Sequence, residues 1–258
     1  MALIDLSNSL LASSVAAWRG TAAFHAGAAP RPEQLLVLYE YEGSPYCRLV
    51  REVLSELDLD AMIYPCPRGG SRYRPEATAL SGISQFPFLI DPNTGDEILE
   101  SAEIIDHLYQ HYSARGRRRA PRGVKRGLQL SGSVAATLLR SSIGKGGYKA
   151  KPSQLPAQPL ELFSFESSPY SRPVRELLCE LEIPYILRNF AKSRWQEMGP
   201  PSVRNQWFSD APITSVNRIR LRDLTGRSQV PYLIDSNTGI GMFESQDIIR
   251  YLKETYAL

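Results

Sequence analysis

Cysteine is scarce in this chain of 258 residues, with only Cys47, Cys66 and Cys179. The number is odd, no CxxC occurs and no histidine cluster accompanies the thiols. A disulfide framework and a structural zinc site are therefore not expected, and no metal is assigned. A reduced compartment fits this usage. No apolar run approaches the ~18 residues needed to span a bilayer, so no transmembrane segment is expected. The opening MALIDLSNSLLASSVAAWRG has no basic start and carries Asp5, which makes it a poor secretory signal and predicts a cytoplasmic protein. Hydrophobic content of 43% is ordinary for a globular chain, and the length suffices for one large or two modest domains.

Excess charge is also small, +3, but it is unevenly placed. The stretch RGRRRAPRGVKR, Arg115 to Arg126, holds seven basic residues and no acid, leaving −4 (3 − 7) for the remainder. It reads as a solvated linker, with nucleic acid or a membrane surface the less favoured partner.

What the chain does have is a repeat. EGSPYCRLVRE, Glu42 to Glu52, returns as ESSPYSRPVRE at Glu166 to Glu176. Aligning Cys47 with Ser171, an offset of 124, gives 13 identities over the 25 residues from Leu35 and from Pro159. A second block, Ser84–Tyr112 against Ser228–Tyr256, aligns at an offset of 144 with 15 identities in 29. The second copy thus carries 20 extra residues (144 − 124) between its blocks. A duplicated module follows. An apolar, Ser-rich, helix-compatible segment precedes each copy (SLLASSVAAWRG and SVAATLLRSSIG). The expected boundaries are residues 1–116 for the first module with its leading helix, 117–123 for the basic linker and 124–258 for the second module.

Within a module, LLVLYEY reads as a buried strand. SPYCRLVREVLSELDL follows as an amphipathic helix, with Ser44 as N-cap and Pro45 as first helical residue. AMIYPC is a second strand, a less regular segment leads to the strand QFPFLID, DPNTGDE is turn chemistry, ILE is a short strand, and SAEIIDHLYQHY is a closing helix. The second copy repeats this order, its first helix expected over SPYSRPVRELLCELEI. The inserted residues, with Trp195, Trp207 and Phe208, are too aromatic for disorder and are expected to pack on the second module or on a partner.

This βαβαββα order carries SPYC or SPYS, then QFPFL or QVPYL, then ES before the last helix. It resembles the thioredoxin superfamily, most of all the glutaredoxins and the N-terminal domain of glutathione S-transferases. The resemblance implies an α/β fold of two tandem thioredoxin-like modules, each preceded by an extra helix. It also implies glutathione as ligand or cosubstrate. In that family the proline of the third strand is cis, and the residue before it pairs with the thiol peptide, here Phe86–Pro87 and Val230–Pro231. The ES pair, Glu100–Ser101 and Glu244–Ser245, falls where the γ-glutamyl group is held. A helix N-terminus suits its carboxylate and a glutamate its ammonium. Ser44 stands where glutaredoxins have the nucleophilic cysteine, and Cys47 matches the resolving one. In the second module Ser168 and Ser171 replace both. A serine cannot ionise near neutral pH, but it can donate a hydrogen bond to a bound thiolate. The arrangement also resembles a tandem form found in cyanobacteria and plants, for which the plastid stroma is the alternative compartment.

Two functions follow as expectations. One is a glutathione-binding, thiol-redox-related protein performing thiol exchange or glutathione transfer on a thiol or disulfide substrate, with Ser44 and Cys47 as the catalytic positions. The other is a non-catalytic tandem scaffold that binds a protein partner. The all-helical second domain of true transferases is missing, so transferase activity does not follow from the resemblance.

Overall fold

A computed structural model describes residues 3–24, 30–114, 119–198 and 213–258. The elements run α1 (Leu3–Val15), β1 (Leu36–Glu40), α2 (Pro45–Glu56), β2 (Ala61–Pro65), α3 (Tyr73–Ser81), β3 (Phe88–Asp91), β4 (Asp96–Leu99) and α4 (Ser101–Tyr112). They continue as α5 (Gly123–Ser142), β5 (Leu160–Ser164), α6 (Arg172–Glu180), β6 (Tyr185–Asn189), α7 (Val216–Thr225), β7 (Tyr232–Asp235), β8 (Ile240–Phe243) and α8 (Ser245–Tyr256). The architecture is α/β, two βαβαββα modules each preceded by a helix.

The eight strands form one sheet, in the order β4-β3-β1-β2-β6-β5-β7-β8. The junction is the antiparallel pair β2–β6, where Met62 faces Ile186 between Ala61–Leu187 and Ile63–Tyr185. Met62 and Ile186 are 124 apart, the offset of the repeat, so the copies meet about a pseudo-twofold axis. An open β2 edge would expose a row of unpaired backbone groups; here each copy covers the other's. One continuous apolar core lies under both copies, with Leu38, Val50, Leu54, Ile104 and Leu108 from the first and Leu162, Val174, Leu178, Ile248 and Leu252 from the second. α3 and α7 cover smaller clusters around Phe88 and Phe163.

The leading helices cross over. α1 docks on the start of the second module, with Ser9 Oγ donating to the Pro169 carbonyl (2.9 Å) and Ser13 Oγ to that of Ser167 (2.8 Å). α5 docks on the first, with Ser133 Oγ donating to the Pro45 carbonyl (2.7 Å). Both sheet and helices therefore run across the boundary that the sequence suggests at residues 117–123. Part of the basic run is folded rather than linker: Arg122 and Arg126 reach Asp106 and Ser101 at 3.3 and 2.7 Å.

One expected helix starts late. Ser44 does cap α2, accepting from Cys47 N–H at 3.2 Å, but α6 begins at Arg172, not near Ser168. Pro173 replaces Leu49 and has no N–H to give to the carbonyl four residues back, and that Pro169 carbonyl takes Ser9 instead. In the insertion, Trp195 opens a 3₁₀ turn and is largely exposed; Trp207 and Phe208 lie outside the described residues. No helix among the described residues is long and apolar enough to cross a membrane.

Candidate functional site

Strand register brings the motifs to one end of the sheet. Tyr39 pairs with Phe88 and Phe88 with Leu99, so the start of α2, Phe86–Pro87 and Glu100–Ser101 share the end where β1 leaves the sheet. The matching pairs Phe163–Tyr232 and Tyr232–Phe243 do the same for Ser168, Val230–Pro231 and Glu244–Ser245. The Phe86–Pro87 and Val230–Pro231 peptide bonds are cis.

Glu100 and Glu244 adopt φ of +67° and +68°, a conformation that is rare for a glutamate. They project outward immediately before α4 and α8, and Gln85 Nε2 donates to Glu100 at 2.5 Å. The adjacent serines are buried and already engaged. Ser101 Oγ accepts from Arg126 (2.7 Å), whereas Ser245 Oγ donates to the Tyr170 carbonyl (2.7 Å).

Beside Phe86 lies a cleft of about 370 Å³ lined by Tyr41, Arg68, Arg74, Gln85, Phe86 and Tyr148. Arg74 is locked in place. It stacks 4.6 Å from the Phe86 ring and donates to the carbonyls of Pro67 and Cys66 at 3.1 Å each. Tyr148 comes from the segment after α5, anchored by Arg68 N–H donating to its carbonyl (2.7 Å). Gly43 is required by this arrangement: a Cβ there would meet Gly146 O at 2.6 Å and the Tyr148 ring at 2.8 Å. In the second copy Ser167 occupies the same place and hydrogen-bonds Thr21. Gly43→Ser is therefore expected to displace Tyr148 and destabilise the fold by about 1–3 kcal/mol, a loss that a denaturant titration would measure.

The SPYC and SPYS cores are less open. Ser44 is 1% exposed and Cys47 0%; Ser168 and Ser171 are buried and bond to each other at 2.9 Å. Burial pushes the Cys47 thiol up to about 12, with the Glu40 carboxylate adding to the effect. Burial likewise raises Cys66 and Cys179. All three thiols are held in the unreactive protonated form.

The repeated charges, which motif reasoning passed over, form a buried network between the copies. Arg51 donates to Glu166 at 2.8 Å, and Arg175 to Glu42 at 3.1 and 3.0 Å. Arg48 adds a bond to Glu166 at 3.0 Å. The symmetry breaks at Glu40, which pairs with Arg51 where the second copy has Ser164 against Arg175. Ser55 Oγ accepts from Glu166 N–H at 3.1 Å; its counterpart Cys179 accepts from Glu42 N–H at 3.4 Å.

The description "glutathione S-transferase, N-terminal domain" matches residues 38–116 and 162–258. The chain belongs to that family. The two matched segments are the two modules, so the family's unit is present twice. No curated protein and no solved structure matches the chain. At the coarse level family membership indicates a glutathione-related thiol function. Arg74, Gln85 and Tyr148 were not singled out from the sequence. The 144-residue offset does pair Arg74 with Arg218 and Gln85 with Gln229, which would have flagged the first two. Nothing in the sequence signals Tyr148, because the fold alone carries it to Gly43.

Proposed function

We propose that the chain binds glutathione, or a γ-glutamyl thiol peptide of the same charge pattern, at its first module, without using a cysteine of its own. The observation that carries this reading is the cleft between Tyr41, Phe86 and Tyr148, with Arg68 in its lining and the Arg74 guanidinium at its side. Its size falls within the range of about 300–1,000 Å³ typical of small-ligand sites. The backbone of Phe86 would pair with the peptide, Glu100 would accept from the ammonium, and the first N–H groups of α4 would hold the γ-glutamyl carboxylate. The positive φ of Glu100, strained for a glutamate, is the kind of outlier that clusters at ligand sites.

The second module is the poorer candidate. Phe165 and Val230 replace Tyr41 and Phe86, and the counterpart of Arg74, Arg218, is drawn to Glu197 of the insertion at 3.1 Å. Calorimetric titration with reduced glutathione is expected to give one site per chain. Glu100→Ala with Ser101→Ala, and separately Arg68→Ala, should each weaken binding about 10- to 150-fold, the worth of a charge-assisted hydrogen bond. Glu244→Ala with Ser245→Ala should leave it unchanged. Equal losses from both pairs would refute the asymmetry.

The second reading, a non-catalytic scaffold, is favoured by one observation: the charges of the repeated motif are spent on holding the copies together. A stoichiometry of zero would select it.

A further inference from the structure

We propose that the first module carries a site for a single divalent transition-metal ion, formed by His107 and His111 of α4 and Asp96 of β4. One ligand atom from each lies within 4.8 Å of the others. His107 and His111 are four apart on one helix, so their rings lie one above the other, with centroids 4.5 Å apart.

The orientation of His107 points to a cation. Its Nε2 lies 2.8 Å from Asp91 Oδ2. Asp91 is buried and also accepts from Tyr112 Oη (2.7 Å) and from Asn93 N–H (2.9 Å). As a carboxylate it can only accept, so Nε2 carries the proton. The other ring nitrogen, Nδ1, faces Asp96 Oδ2 at 3.6 Å. Positive charge belongs between Nδ1 and that carboxylate: a proton supplies it in the free chain, and a metal ion can take the proton's place. A carboxylate holding the far nitrogen of an imidazole is also how metal-ligating histidines are oriented.

The duplication supplies an internal control. Asp91 has its counterpart in Asp235, which accepts from Tyr251 at 2.6 Å. Tyr251, Thr255 and Ile240 stand where the first module has His107, His111 and Asp96. A residue that only satisfied the aspartate would need neither His111 nor Asp96. In the first module all three positions carry metal-ligand side chains. In the second the tyrosine keeps the hydrogen bond, and threonine and isoleucine fill the other two places. Two imidazoles and one carboxylate suit zinc or a neighbouring late first-row ion, with water completing the shell. Asp96 is exposed and His111 half-buried, so both can close on an ion while His107 stays fixed. Chain spacing hides the site, because the β3–β4 hairpin alone brings Asp96 to α4.

The test is calorimetric titration of the chelator-treated full chain with zinc chloride. One ion per chain is expected. His107→Tyr and His111→Thr, which install the second module's residues, should each weaken binding at least about 10-fold, and the tyrosine keeps the bond to Asp91. Imidazole resonances of the unmodified chain, followed by NMR during the titration, give a readout independent of any variant. Two of the three histidines should shift together and saturate at one equivalent. No binding at millimolar zinc, or undiminished binding by the doubly substituted chain, would overturn the proposal.

Discussion

Glu166→Gln is expected to lower the unfolding free energy by about 3–5 kcal/mol, the cost of removing one partner from a buried ion pair. Glu166 accepts from Arg48, Arg51 and Arg175 at 3.0, 2.8 and 3.2 Å, and all four side chains are buried. With its charge gone, the buried guanidiniums of Arg48, Arg51, Arg172 and Arg175 lose a shared counter-charge, and Arg51 and Arg175 are left with Glu40 and Glu42 beside them. Burial alone would raise the Glu166 carboxyl, but Arg51, Arg175 and Arg48 together hold it well below its ordinary 4.5. Its contribution is therefore fully present above pH 4.5 and is lost as pH falls below that value.

Other acids act in the opposite sense. Burial pushes Glu40 up to about 7 against the pull of Arg51, and Asp58 up to about 6 against that of Arg31. Each holds a proton more tightly folded than unfolded, so each favours folding at low pH and loses that contribution as pH rises from its ordinary value to its folded one. Stability should thus rise from pH 7 to about 5 and fall below 4.5. Glu40→Gln should flatten the rise, and Glu166→Gln should remove part of the fall. Urea titrations at several pH values would show both. An unfolding free energy unchanged by Glu166→Gln would mean that packing and the β2–β6 pairing, rather than the charges, hold the copies together.

The folded chain should be almost inert to thiol reagents. Burial pushes the Cys47 thiol up to about 12, so its thiolate is far scarcer at pH 7 than the few per cent of a free cysteine. Reaction should be roughly 1,000-fold slower than for an exposed thiol. Burial protects Cys66 and Cys179 in the same way. A chromogenic disulfide reagent should detect three thiols in denaturant and none on the same timescale in the native protein, and glutathione-coupled disulfide reduction should stay at background. A fast, stoichiometric native thiol would mean that the start of α2 opens in solution. It would restore Cys47 to the redox role that its place in SPYC suggests.

The sequence alone carried the duplication, the α/β class, the order of elements within each module and the positions that gather at one end of the sheet. These depend on local periodicity, turn chemistry and identities at constant offset, which need no partner to be read. α6 begins later than its counterpart α2 although Ser168 Oγ accepts from Ser171 N–H at 3.2 Å as Ser44 does from Cys47, because Pro173 has no N–H for the carbonyl four residues back. Tertiary structure decided the rest. Ser44 and Cys47 look like an open active-site motif in the sequence, yet α5 packs on the start of α2 and both residues are buried, and burial turns a possible nucleophile into an inert thiol. Glu42, Arg51, Glu166 and Arg175 look like solvated helix-end charges. They are buried because the copies join through β2 and β6, and that juxtaposition places each arginine against the other copy's glutamate. The cleft at Phe86 likewise combines residues from separate elements, and although His107 and His111 share a helix face at a spacing of four, only the β3–β4 hairpin brings Asp96 to them.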